Sequence, residues 1–127
     1  MKLLKNVLLA FSLTLALGSV SSVAVACEDG RTCFGPAQAT DIVLGHIAAG
    51  MKSVDAGENG PTAAAHVKAA LKASKEINAS DKVDVARSRA NGHLKKARSA
   101  FKKSEMQTGE DHLGAAEKAF TDLKRQL

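Results

Sequence analysis

The chain has 127 residues, with 18 lysines and arginines against 13 acids and a net charge of +5, a length that suits one domain. Aromatic residues make up 3% and are all phenylalanine, which excludes a base-stacking platform or an aromatic cage, since both need exposed ring faces. Two prolines and two cysteines exclude collagen-like, proline-rich and densely disulfide-stapled classes, and the abundance of alanine and lysine favours helices over sheet.

Lys2 and Lys5 open the chain, Val7 to Leu17 is almost wholly apolar, and the small-residue stretch from Ser19 ends in Ala24-Val25-Ala26. This pattern predicts a secretory leader over residues 1–26 and a periplasmic or secreted protein. An uncleaved anchor is the alternative, but the apolar run is shorter than the roughly 20 residues a spanning helix needs. Losing Lys2 and Lys5 from the 18 basic residues leaves 16 against 13 acids, a net charge of +3. Cleavage after Ala26 makes Cys27 the first residue, where lipid anchoring is a further alternative. Ala24, however, stands where a larger aliphatic residue is usual.

The segment 27–36 contains Cys27-Glu-Asp-Gly-Arg-Thr-Cys33, whose two thiols can close a small disulfide loop in an oxidising compartment, with Gly30 easing the turn. The spacing is neither a usual zinc pattern nor the C-x-x-C of redox motifs.

Residues 37–127 carry turn chemistry at Gly57-Glu-Asn-Gly60-Pro61, at Asn78-Ala-Ser80-Asp81 and around Gln107-Thr108-Gly109. Between these lie four segments of about 18–22 residues with apolar spacings of three and four, the helical period. Leu113, Ala116, Phe120, Leu123 and Leu127 show it most clearly. Thr62, Ser80 or Asp81, and Thr108 are the expected N-caps, Thr108 with Asp111 as an approximate capping box. Short connections predict an all-α, up-down-up-down four-helix bundle.

Each predicted helix holds one histidine: His46-Ile-Ala-Ala-Gly, His66-Val-Lys-Ala-Ala, His93-Leu-Lys-Lys-Ala and His112-Leu-Gly-Ala-Ala. His46 and His93 are 47 residues apart and His66 and His112 are 46 apart, so the first helical hairpin reads as duplicated in the second. The aliphatic residue after each histidine (Ile47, Val67, Leu94, Leu113), the small residue three further on (Gly50, Ala70, Ala97, Ala116) and the residue seven further on (Val54, Ser74, Phe101, Phe120) should form the buried seam. Each histidine then lies about 100° from its aliphatic neighbour, at the seam's half-exposed edge.

This repeat of histidine, aliphatic, two variable residues, small residue and lysine, running from about Asp41 to the end, resembles the small metal-binding protein family of exported, histidine-rich four-helix bundles. The resemblance implies binding or buffering of divalent copper, nickel or zinc outside the cytoplasm, with His46, His66, His93 and His112 at family ligand positions. The family's second histidine, seven residues after the first, is replaced here by Ser53, Ala73, Ala100 and Ala119. Metal sites made within one helix are therefore not expected, and any site must join histidines of different helices. The alternative for these imidazoles is coverage of core atoms at the bundle edge.

No acid falls between Asp84 and Glu105, whereas Arg87, Arg89, Lys95, Lys96, Arg98, Lys102 and Lys103 all do. Such a helix can dock an anionic surface or protein, which makes a metal-free structural or interaction protein of the cell envelope the competing function. Its structural alternative is a solvated face with cations toward the helix C-terminus. Nucleic acid is not an expected partner, and the absence of a Ser-His-Asp order, a phosphate loop or H-E-x-x-H predicts no enzyme. Nothing in the sequence fixes an oligomeric state.

Overall fold

The computed structural model describes residues 25–26 and 32–127; Cys27 and the expected leader, apart from its last two residues, lie outside them. Val25–Ala26 (β1) and Thr32–Cys33 (β2) form a short antiparallel ladder with Val25 opposite Cys33 and Ala26 opposite Thr32. β1 consists of the last two residues before the expected cleavage point. Cys33 is disulfide-bonded.

Four helices follow: α1 (Pro36–Asp55), α2 (Gly60–Ser74), α3 (Asp81–Lys102) and α4 (Met106–Lys124). None of the helices among the described residues is long and apolar enough to cross a membrane. Each helix packs against its neighbour in sequence, and α1 also packs against α4. The lengths are 20, 15, 22 and 19 residues, so α2 falls short of the length the apolar spacing suggests. The reason is its exit. Ser74 turns its hydroxyl back onto the Leu71 carbonyl (2.8 Å), and the turn holds Ile77 in the core, where it is fully buried.

The caps differ from the sequence expectation at two of three places. Asn59, not Thr62, begins α2: its side chain accepts a hydrogen bond from the Thr62 amide (3.0 Å) and another from the Thr62 hydroxyl (2.7 Å). Ser80 caps α3 as expected, accepting from the Val83 amide. At α4 the turn comes earlier than Gln107-Thr108-Gly109. Glu105 precedes the first turn without a side-chain cap, Thr108 lies inside the helix, and Asp111 accepts instead from the Gln107 side chain (3.0 Å). Helical period overrides turn composition here because Gly109 is needed inside the helix, for packing.

That packing centres on Phe101, which is fully buried at the end of α3. A side chain at Gly109 would lie 2.5 Å from the Phe101 ring, and one at Gly60 would strike the Phe101 carbonyl oxygen. Glycines therefore bring the first turns of α2 and α4 onto the last turn of α3. At the mid-level, Gly50 of α1 is the small residue against which Leu113 of α4 (3.2 Å from an added Cβ) and His66 of α2 (3.5 Å) pack. The seam is buried as expected except at Val54, which is half-buried.

Buried positions recur along the chain. Val43, Ile47, Gly50 and Ser53 of α1 are buried, and so are Ala90, Leu94, Ala97 and Ala100 of α3, each 47 residues later. Ala63, Val67, Ala70, Ser74 and Ile77 have buried counterparts 46 residues later in Gly109, Leu113, Ala116, Phe120 and Leu123. The exits of α1 and α3 match as well. Gly57 (φ +73°) and Ser104 (φ +59°) are the left-handed residues of two closures of the same type. In the first, Gly57 donates to Val54 and Glu58 to Ser53; in the second, Ser104 donates to Phe101 and Glu105 to Ala100.

Not every glycine is required. Added side chains at Gly45 and Gly92 meet nothing within 4 Å, so in urea unfolding Gly45→Ala and Gly92→Ala should each raise stability by about 0.5–1 kcal/mol, the usual helix-interior gain. Gly60→Ala should lower it by about 2 kcal/mol or more, through overpacking against backbone. Equal effects at the three positions would contradict the packing around Phe101.

Candidate metal centre

All four histidines are half-buried, as expected for positions 100° from a buried aliphatic neighbour. They do not form one cluster. His93 of α3 and His112 of α4 come together, with ring centres 6.4 Å apart and planes inclined by 32°. His46 instead lines a cleft of about 270 Å³ between α1 and α2, with Phe34, Ile42, Ala69, Lys72, Ala73 and Glu76. His66 has its Cβ against Gly50. Among the described residues, no group of three or more His, Cys, Asp or Glu side chains is arranged to hold a metal ion. A four-histidine centre is thus not assembled.

The pairing of His93 with His112 follows from the Phe101 contact. With the start of α4 held on the last turn of α3, Leu94 and Leu113 both enter the core and the preceding residue on each helix is brought to their shared edge. Nδ1 of His93 is buried with no hydrogen-bond partner, and an unsatisfied buried nitrogen costs roughly 1–3 kcal/mol. Two imidazoles that bind one ion at about 2.0–2.1 Å hold their ring centres no more than roughly 6.4 Å apart. The observed separation is at that limit, which only a nitrogen of each ring facing the other in line across the ion, a trans arrangement, would satisfy without movement. The donor set fits an ion that takes two imidazoles and completes its coordination with water, and does not fit a closed structural zinc site, which needs four protein ligands.

Two of the four positions seven residues after a histidine are closed to a second ligand. Ser53 and Ala100 are each 4% exposed, so an imidazole at either would have to displace core atoms. Ala73 and Ala119 are half-buried against the core.

The basic residues of α3 divide by helical period. Arg87 is taken up structurally: it pairs with Asp84 (3.4 Å) and donates to the Ile77 carbonyl, tying α3 to the preceding turn. Arg89, Lys96 and Lys103 recur every seven residues on one side. Arg98 and Lys102 line a groove shared with α2, and Lys95 lines an adjoining cleft formed by α3 residues alone. Lys68 and Lys72 of α2 and Lys75, just past its end, add to that groove, a contribution not expected from the sequence. Their spacing of four and three on a helix without acids was the available signal.

No protein-family model matches the chain, and no curated protein or solved structure is found to be similar to it.

Because His93 carries an unpartnered buried nitrogen, replacing the ring by an apolar side chain removes a desolvation cost. His93→Leu should therefore unfold in urea at the parent's midpoint or above it. A loss of more than about 1 kcal/mol would show that the imidazole is a satisfied structural group, contrary to the orphaned nitrogen.

Proposed function

We propose that the protein is an exported, non-enzymatic member of the small metal-binding protein class, an up-down-up-down bundle built from a duplicated αα-hairpin that binds a divalent transition metal between His93 and His112. Three observations support the architecture. Buried positions recur at offsets of 47 and 46, left-handed closures recur at Gly57 and Ser104, and helix starts meet helix ends around Phe101. The leader pattern of residues 1–26 supports export, and the disulfide bond of Cys33 agrees with an oxidising compartment. Cys27, the other cysteine of the chain, is its proposed partner.

The observation that carries the metal reading is the 6.4 Å pair of imidazoles from adjacent helices with an unpartnered buried nitrogen on one ring. Imidazole suits copper, nickel and zinc, and copper(II) heads the affinity order for such donors. A two-imidazole site leaves open coordination positions, which suits reversible buffering more than permanent structural use. The duplication supplies a second such position in principle, at His46 and His66, but there His46 faces the cleft between α1 and α2.

Titration of the purified protein with copper(II), nickel(II) and zinc(II) tests this reading. The parent and a His46→Ala/His66→Ala variant should bind one ion with the same affinity, copper most tightly, and His93→Ala/His112→Ala should bind at least tenfold more weakly. Equal binding by the parent and the His93/His112 variant would refute it.

A further inference from the structure

Charge on this molecule is unevenly placed. α2 contains no acid, and α3 contains none after Asp84. The groove between these two helices is lined from one side by Lys68, Lys72 and, just past the end of α2, Lys75, and from the other by Arg98 and Lys102, with Lys95 in an adjoining cleft on α3. Three adjoining clefts, of about 490, 210 and 200 Å³, share Arg98, with Lys68 and Lys102 each lining two of them. They adjoin along one trough whose uncharged lining is Pro61, Ala64, Ala65, Ala69, Leu71 and Ser99. Five of the six cations are exposed and Arg98 is half-buried. Among the described residues none of the six is in an ion pair; the ion pairs involve Arg87, Lys124 and Arg125.

Six unpaired cations around one trough repel each other in the free protein and focus a positive potential along it. The nearest acid on α2's side is Glu76, which lines the cleft holding His46 on the other flank of Lys72. At the far end, Asp84 is paired with Arg87. Along each helix the cations are three and four residues apart, a rise of about 4.5–6 Å per step, so the two rows present charge continuously along the trough.

We infer that this trough binds a linear polyanion made of phosphate groups, independently of the histidine pair. Shape selects a chain over a membrane. The cations border a shallow groove between two helices whose one large apolar lining residue, Leu71, is half-buried, and the exposed large apolar residues of the described chain, Val85 and Leu127, lie elsewhere, so the groove offers no exposed apolar anchor for lipid. The lining has no aromatic residue, which leaves no stacking surface for bases. Lysine, the main cation here, meets phosphate as a point charge without demanding a fixed fork geometry. A flexible phosphate chain satisfies these requirements.

Inorganic polyphosphate of about 20 units is the probe. The purified protein should bind it with a log Kd that changes with log salt at a slope near 4, the value for about six contacts on a flexible strand. Lys68→Gln/Lys72→Gln/Lys75→Gln and Lys95→Gln/Arg98→Gln/Lys102→Gln should each weaken binding at least tenfold at 0.1 M salt and lower the slope by about 2. A Lys→Arg version of the first triple, which keeps the charge, should bind like the parent, as should Lys52→Gln/Lys118→Gln/Arg125→Gln, which removes the same charge elsewhere. Equal weakening by that last variant would overturn the assignment, because net charge alone would then account for binding. Binding to phosphatidylglycerol vesicles or to single-stranded DNA in preference to polyphosphate would overturn it too, as would no binding of polyphosphate at all.

Discussion

Three of the four helices are located by one contact, the seating of Phe101 between two glycines. The fully buried ring lies where a side chain at Gly109 would have to be, and the Phe101 carbonyl lies where a side chain at Gly60 would have to be. A buried phenylalanine contributes roughly 1.5–3 kcal/mol of apolar transfer, comparable with other core residues. Its importance is geometric: the close approach sets how far each helix is rotated and how far it slides. From there the helices continue with alanine and glycine at their crossing points, which allows short separations, and with Leu94, Leu113 and Phe120 filling the layers between.

Both proposed sites are consequences of that register. The histidine pair lies two turns from Phe101 on α3, on the edge beside the Leu94 and Leu113 layer. The cationic trough lies between α3 and α2, the other helix whose start is seated on Phe101. Its rows line up because Gly60 holds the beginning of α2 beside the end of α3. Metal and polyanion binding would therefore occupy different helix pairs, α3 with α4 and α2 with α3, and could proceed together.

Much of the helical plan was legible in the sequence because one short pattern recurs in each helix. Four copies of a histidine followed by an aliphatic residue and a small residue define a face, and eleven of the twelve seam residues derived from it are buried. Half-exposure of each histidine follows from the same 100° step. What could not be read was pairing between helices. Nothing in one helix says that His93 will meet His112 while His46 turns to a cleft, because that depends on rotations set by Gly60 and Gly109. The turns were misplaced for a related reason. Gly109 and Thr108 have loop composition, yet Gly109 is glycine to admit a ring, and Ser104 takes the left-handed position that composition would assign to glycine. Lys68, Lys72 and Lys75 went unnoticed because α2 is not conspicuously basic until α3 is placed beside it.

The most direct test of this account is a proton nuclear Overhauser spectrum of the folded protein, read at Gly109. The account predicts strong cross-peaks between the Phe101 ring protons and the Gly109 α protons, with the latter displaced from ordinary glycine shifts by the ring current. Gly109 α protons at unperturbed shifts and without a cross-peak to Phe101 would contradict it, and would remove the basis for both the histidine pair and the aligned cations.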